Sequence, residues 1–511
     1  MSGQSDIILA TLNARYAHAS LGLRSLLANL REPLQARAAL REFTIKEAPE
    51  QICATLLSSN PRIIGLGVYI WNVARTTELV RLLKQTRPDI QVVLGGPEVS
   101  HETHLQPICA AADYVICGEG EVAFDALCAA VLEGRAPEQK VIAGDLPEMV
   151  RLALPYRLYT DEDLRHRVVY VEASRGCPFK CEFCLSSLDK SVRDVPLDRF
   201  LAEMEALLAR GARQFKFIDR TFNLKPQTSS AILKFFLDRY EPGLFVHFEL
   251  VPDRLPEPVR ELVARFPPGA IQFEVGIQTF NEEVGRRISR RQDNAKVEEN
   301  FRFLRERTGV HVHADLIVGL PGEDLDSFAR GFDRLIALGP QEIQVGMLKR
   351  LRGTPIVRHD LEWGMVYDPA PPYEIRETRV MDAATVARLR RFAKYWDLIH
   401  NSGNFRDSAR AVLSQGSSPF AAFLALADWL YAELGRTHSL SLEALTEAMF
   451  RYLVHLGLGP NEAGPVVLGD YLRPAARQVP PFLKAWSSRT ASRSARDRGT
   501  LSPKRQARHL S

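Results

Sequence analysis

Residues 174–184 read Ser-Arg-Gly-Cys-Pro-Phe-Lys-Cys-Glu-Phe-Cys, which places Cys177, Cys181 and Cys184 in a C-x3-C-x2-C run. Three thiolates this close on one loop suit an iron–sulfur cluster, because soft sulfur ligands favour such centres. A four-iron cubane has one more iron than this run has cysteines, and no cysteine follows Cys184. Cys53, Cys109, Cys117 and Cys128 are spread through a region that reads as a separate domain. The fourth iron is therefore expected to stay open to a small ligand, the mark of a reactive centre. Zinc is the competing reading, but structural zinc takes four ligands. No second cysteine or histidine pair stands nearby, and the next histidine is His247. A disulfide framework fits poorly with few, irregularly spaced cysteines in a long chain.

Working outward, the apolar stretch 168–173 reads as a strand that runs straight into the cysteine loop. A loop at the carboxyl end of a strand is the usual site of a β/α barrel. Five more strands are expected downstream, at 215–218, 246–250, 271–277, 311–318 and 343–348, with amphipathic helices such as 197–210 and 295–307 between them. Most carry polar residues at or near their ends: Asp219 and Asn223, Glu249, Glu274 with Gln278, and Asp315 before Gly319-Leu-Pro-Gly-Glu323. Such residues suit a polar ligand: carboxylates bind amines, cations bind carboxylates, and polar side chains bond hydroxyls. Arg290 or Arg291 supplies the cation in this reading. Each of these residues has an equally ordinary role in stabilising a barrel.

The cysteine spacing, with aromatic Phe183 before the last cysteine, resembles the radical SAM superfamily. The resemblance implies a partial (β/α)6 barrel over residues 166–360 and a 4Fe-4S cluster on Cys177, Cys181 and Cys184. It implies that the open iron takes S-adenosylmethionine and that reduction of this ligand yields a 5′-deoxyadenosyl radical. Phe183 would lie against the adenine. The segments IDRTFN, EVGIQTFN and DLIVGLPGE correspond to SAM-contacting segments, which gives Asp219, Asn223, Glu249, Glu274, Gln278, Arg290 and Asp315 as candidate contacts. A flavodoxin or ferredoxin is the expected electron donor.

Residues 1–145 alternate strand and helix, with strands expected at 7–12, 63–70, 91–94 and 114–117, the order of a doubly wound parallel sheet. Ligands of such sheets sit at the carboxyl ends of the strands, where Gly95-Gly96-Pro97 and Gly118-Glu119-Gly120-Glu121 fall. No G-x-G-x-x-G opens a helix after the first strand, so a dinucleotide is disfavoured. This arrangement ahead of the cysteine barrel resembles the Rossmann-like cobalamin-binding domain of cobalamin-dependent radical SAM proteins. The resemblance gives Gly95, Gly96, Pro97, Gly118 and Glu119 as cobalamin-binding candidates. The family's D-x-H-x-x-G motif is not present. His18 is its nearest counterpart as a cobalt ligand, against a default of a surface or capping histidine.

Residues 146–165, with Pro147 and Pro155, read as a linker. Residues 370–486 show helical periodicity and recurrent aromatics such as Phe392, Trp396, Phe420 and Phe423. They suggest a helical core or a cap over the barrel mouth, and they resemble an uncharacterised C-terminal domain of one subfamily. The stretch 487–511 holds seven basic residues against Asp497 alone and reads as a disordered tail, with a nucleic-acid arm as the less ordinary alternative. The 511 residues, 46% hydrophobic and 25% charged, are ordinary for a globular protein. No secretory signal or apolar run of membrane-spanning length stands out, so a cytoplasmic protein with no membrane partner is expected. The expected activity is hydrogen abstraction and functionalisation, commonly methylation, of an unactivated carbon in a small-molecule substrate. Radical cyclisation, RNA modification and a non-enzymatic cobalamin or redox sensor are the alternatives.

Overall fold

The computed structural model describes residues 5–473, 477–487 and 504–510. The chain divides into two compact units. One comprises Met1–Arg220, Lys349–Val357 and Asp368–Glu374; the other comprises Thr221–Leu348, Arg358–Tyr367 and Ile375–Ser511.

The first unit opens with six parallel strands: β1 (Ile7–Asn13), β2 (Ala38–Thr44), β3 (Ile63–Gly67), β4 (Gln91–Gly95), β5 (Tyr114–Cys117) and β6 (Val141–Ala143). Their order in the sheet is β2-β1-β3-β4-β5-β6. Every residue of β1 is buried, as expected of a strand covered on both faces. One cover packs on Ile8, Leu66 and Leu94, and the opposite one on Ile7, Leu9 and Phe124. The strand order reverses between β1 and β3, which opens a crevice at their carboxyl ends. Four strands were expected, so β2 and β6 are additions. β2 (AALREFT) is only half-buried and β6 is a largely exposed edge, so neither carries a continuous apolar run.

The segment read as a linker is packed instead. Tyr156 and Tyr159 are fully buried, and their hydroxyls donate to the carbonyls of Glu172 (3.1 Å) and Tyr170 (2.8 Å). A short helix, Asp161–His166, starts with a reciprocal cap between Thr160 and Asp163. Asp163 then pairs with the buried guanidinium of Arg24 at 2.9 Å, which also holds Glu42 at 2.9 Å. Proline punctuation identified the turns here, but not the two tyrosines that dock them.

After it come β7 (Val169–Val171), the short strands β8 (Ser174–Arg175) and β9 (Arg193–Asp194), and β10 (Gln214–Phe217). β7 and β10 pair in parallel, whereas β8 and β9 form an antiparallel ribbon that carries the cysteine loop. The second unit continues the strand–helix alternation with β11 (Phe245–Leu250), β12 (Ile271–Gln278), β13 (His311–Val318) and β14 (Glu342–Met347), parallel neighbours in chain order. The chain is therefore α/β: a Rossmann-like parallel sheet, a barrel region of parallel strands, and a helical C-terminal part.

That last part contains helices Ala383–Trp396, Arg406–Leu413, Pro419–Leu434, Leu442–His455 and Pro460–Leu472. Its aromatics form a helical core against Phe332 of helix Leu325–Leu338, with ring centroids at 5.1 Å for Phe392, 4.8 Å for Trp396 and 5.8 Å for Phe420. A π-helical turn at Asp397–Asn401 brings the Asn401 amide against β14. Asn401 donates to the Ile343 carbonyl (2.8 Å) and accepts from its N–H (3.0 Å). The described contacts thus cover the flank of β14. Asn401→Ala is expected to orphan two buried backbone groups at about 1–3 kcal/mol each, read as a lowered urea midpoint.

The basic tail is corrected in part. Residues 488–503 lie outside the described residues, but Lys504–Leu510 is a helix docked in the second unit. Arg505 pairs with Glu342 (2.8 Å) and Asp397 (2.6 Å), and Gln506 donates to Gln272 (2.8 Å). Glu342 is only 2% exposed, and a carboxylate so deeply buried needs cationic partners.

Candidate active site

The cysteine loop is shaped by its ribbon. Gly176 has φ of +91°, and a Cβ there would lie 2.0 Å from the Ser191 carbonyl oxygen, so only glycine fits. The Cys177 N–H donates to the Asp189 carbonyl at 2.9 Å. Cys177 and Cys181 are buried, Cys184 is half-buried, and none is in a disulfide. Burial pushes the Cys177 thiol up, and the neighbouring Cys184 and Cys181 add to the rise. Among the described residues no three His, Cys, Asp or Glu side chains converge as a single ion requires. Three cysteines on one short loop suit a multi-iron cluster better than zinc, which takes four ligands.

Asp219, at the end of β10, is 4% exposed and accepts from the Ala173 N–H (2.9 Å) and the Ser174 hydroxyl (2.6 Å). It therefore fastens the strand that leads into the cysteine loop. Burial raises its pKa to about 7. Phe183 is half-buried within the loop.

At the carboxyl ends of β3, β4 and β5 lies a cavity of about 270 Å³. Seven glycines, Gly22, Gly65, Gly67, Gly95, Gly96, Gly118 and Gly120, contribute to its lining, with Tyr69, Phe124, Glu119, Glu121, Glu172 and Arg175. Gly96 has φ of +110°, and a Cβ there would meet the Val68 oxygen at 2.5 Å. A backbone-lined crevice at this switch point fits an extended ligand. Gly95, Gly96, Gly118 and Glu119 line it. Pro97 is exposed and does not. His18 does not line it either: its Nδ1 lies 2.7 Å from the Tyr170 hydroxyl. Glu119 is occupied by Arg175 (2.9 Å) and Arg193. Tyr69 and Arg175 were missed. Arg175 stands two residues before Cys177, but nothing in its spacing shows the charges it meets.

In the second unit the register sets Glu249 beside Glu274 and Glu274 beside His313, with Asp315 next to Gly276. Glu274 lies 3.0 Å from His247, and Asp315 lies 3.4 Å from His313. Gln278 holds a left-handed φ of +69° at a register shift between Gly276 and Gln278. Such strain in a non-glycine residue clusters at functional sites. Arg290 donates to the Gly276 carbonyl and lies 3.3 Å from Gln292, beside a polar cavity of about 760 Å³. Asn223 spends its amide on the backbone of Val251 (2.8 Å from N–H and from oxygen) and of Arg254. It staples two turns together. Glu274, His247, His313 and Asp315 are thus brought together. The histidines went unread because they sit inside strands rather than at their ends.

Glu323, in the GLPGE turn, is 2% exposed and accepts from the Thr279 hydroxyl at 2.5 Å, while its Oε2 has no hydrogen-bond partner among the described residues. Burial raises its pKa to about 7. The folded chain therefore keeps this proton up to about pH 7, whereas the unfolded chain releases it near 4. Its contribution to stability falls as pH rises through that window. Glu323→Gln is neutral at every pH, so its stability relative to the wild type is expected to rise between about pH 4 and 7 and to level off above that. Urea midpoints measured across the range check this.

Comparison with known families now bears on this geometry. The Radical SAM superfamily model matches residues 171–335, and the B12 binding domain model matches residues 7–128. The chain carries a radical SAM domain and a B12-binding domain. A third model, Protein of unknown function (DUF4080), matches residues 361–500. The cobalamin-dependent radical SAM methyltransferase TokK of Streptomyces tokunonensis is 25% identical over 331 residues, 55% of this chain and 46% of TokK. The 2-(S-pantetheinyl)-carbapenam-3-carboxylate methyltransferase of Streptantibioticus cattleyicolor is 25% identical over 56% of this chain and 46% of its own length. The chain spans about half the length of these curated relatives. Among solved structures, the radical S-adenosylmethionine methyltransferase TsrM of Kitasatospora setae, with cobalamin and a 4Fe-4S cluster bound, aligns with a TM-score of 0.57 at 18% identity. That alignment covers 69% of this chain and 74% of TsrM, and it supports the fold. No helix among the described residues is long and apolar enough to cross a membrane.

Proposed function

We infer that this radical SAM protein is a cobalamin-dependent methyltransferase acting on an unactivated carbon of a small molecule, with a reduced flavodoxin or ferredoxin as electron donor. One observation carries the reading: the ribbon that holds Cys177, Cys181 and Cys184 is joined by Arg175 to the wall of the glycine-lined cavity. When bound, a 4Fe-4S cluster supplies the electron that cleaves S-adenosylmethionine, and cobalamin supplies a methyl carrier. The chain's own part is to hold and shield. The three cysteines hold the cluster, Asp219 fixes the strand leading to it, and Gly95, Gly96 and Gly118 leave room for the corrinoid. Phe183, Glu249, Glu274, Gln278, Arg290 and Asp315 are proposed to bind S-adenosylmethionine.

Cys53 and Cys109 belong to one core layer of the first sheet and Cys128 to the opposite one, so these thiols do not converge on a second cluster. The RNA-arm reading weakens because Arg505 is already paired inside the protein. Anaerobic purification with cobalamin supplied should yield about four irons and one cobalt per chain. Turnover should release S-adenosylhomocysteine together with 5′-deoxyadenosine. Iron without cobalt would overturn the cobalamin assignment, and 5′-deoxyadenosine with no S-adenosylhomocysteine would replace methylation by cyclisation or rearrangement.

A further inference from the structure

The cysteine loop is fastened at two places to the turns that wall the glycine-lined cavity, all within the first unit. At its base, Arg175 and Arg193 face each other across the β8–β9 ribbon. Arg175 holds Glu119 at 2.9 Å and Glu121 at 2.8 Å, and Arg193 holds the other oxygen of Glu119. Arg193 also grips Asp189 at 3.0 Å, and the Asp189 carbonyl accepts the Cys177 N–H. On the far side of the loop, the Glu182 carbonyl accepts the Ile356 N–H at 3.0 Å. Four residues back from Ile356, Arg352 grips Glu98 at 3.0 Å and Glu102 at 2.9 Å. Glu98 is 4% exposed and stands two residues after Gly96. A ligand that presses on the turns at 95–98 and 118–121 therefore presses on both anchors.

We propose that filling this cavity orders the cysteine loop, so that cobalamin binding and cluster loading assist each other through Arg193 and Arg352. The proposal rests on the reading of the cavity as a cobalamin site. Its physical ground is that these ion pairs are largely buried, so separating either anchor from its turn strands a charge. Turn and loop hold position together or not at all. Linkage makes the effect reciprocal: a loaded cluster tightens cobalamin by the factor by which cobalamin orders the loop.

The full-length, reduced, cluster-free protein tests this by iodoacetamide labelling with and without hydroxocobalamin, read by mass spectrometry at Cys184. Cys128, in the core of the first sheet, reports global opening. Hydroxocobalamin is expected to slow Cys184 labelling about fivefold or more, the lower end of coupling between sites. Arg193→Gln and Arg352→Gln, neither of which lines the cavity, should still bind hydroxocobalamin by visible absorbance. In the double variant the protection should fall below about twofold. Arg193→Lys, which keeps the charge, should restore part of it. The wild-type comparison stands by itself if a variant opens globally. Failure of the wild type to bind hydroxocobalamin overturns the cobalamin reading and this proposal with it. Binding without any slowing at Cys184, or full protection in the double variant, overturns the proposal alone.

Discussion

Replacing Gly176 by alanine is expected to strip the protein of most of its iron while both units stay folded. The added Cβ would meet the Ser191 carbonyl oxygen at 2.0 Å, and Gly176 holds a φ of +91° that other residues rarely adopt. Ser191 cannot simply withdraw. It bonds to Asp189 through its N–H (3.1 Å) and hydroxyl (2.6 Å), and Asp189 is itself held by Arg193. Relief therefore has to come from the cysteine loop, whose first cysteine is the next residue. Backbone strain of roughly 1–3 kcal/mol lowers the population of the cluster-competent loop by about 5- to 150-fold, before the clash is added. Iron and sulfide analysis after anaerobic reconstitution, with a urea midpoint for the apoprotein, reads both halves of the expectation. Wild-type iron content in Gly176→Ala would sink it.

The largest loss of stability is expected from Arg24→Met. Arg24 is 2% exposed, and its guanidinium serves Glu42 and Asp163 at 2.9 Å each, donates to the Ser20 carbonyl at 3.0 Å and stacks over Tyr159 at 4.7 Å. Removing one side of a buried ion network leaves the opposite charges uncompensated, at roughly 3–5 kcal/mol. Arg167 still reaches Glu42 at 2.8 Å and softens the effect. Because Asp163 also caps the helix Asp161–His166, the variant should loosen the segment 156–166 from β2 and β7. Urea unfolding measures the loss, and adding Glu42→Gln to Arg24→Met should recover part of it. An unchanged midpoint would show that the network is not a source of stability.

These expectations mark where the sequence was legible. The cysteine spacing and the polar residues near the strand ends pointed to the chemistry, and β11 to β14 fall within a residue of their expected bounds because their apolar cores are short and sharply bounded. β2 went unread because Ala38–Thr44 mixes Arg41 and Glu42 into a half-buried strand, and Glu42 turns inward to meet Arg24 and Arg167. Asp219 and Asn223 were recognisable as polar marks, but position along a chain does not say where an oxygen points. Both proved to hold backbone. Glu119 lines the cavity as expected, yet its carboxylate is taken by Arg175 and Arg193, residues 56 and 74 positions away. Pairings over such separations follow from the fold and leave no local pattern. The docked helix Lys504–Leu510 is the plainest case, since its basic composition matched a solvated tail until Glu342 supplied a buried partner.

The Asn401 staple also limits how a substrate can be recognised. A free sheet edge can be read by an extended peptide that adds itself as one more strand, using main-chain hydrogen bonds alone. On β14 the Ile343 N–H and carbonyl are taken by Asn401, and just beyond its end the Leu348 carbonyl accepts the Ile375 N–H at 2.8 Å. With both ends of that edge occupied by the protein's own chain, a ribbon-like guest cannot zip onto it along its whole length. Selectivity at this flank has to be written in side chains.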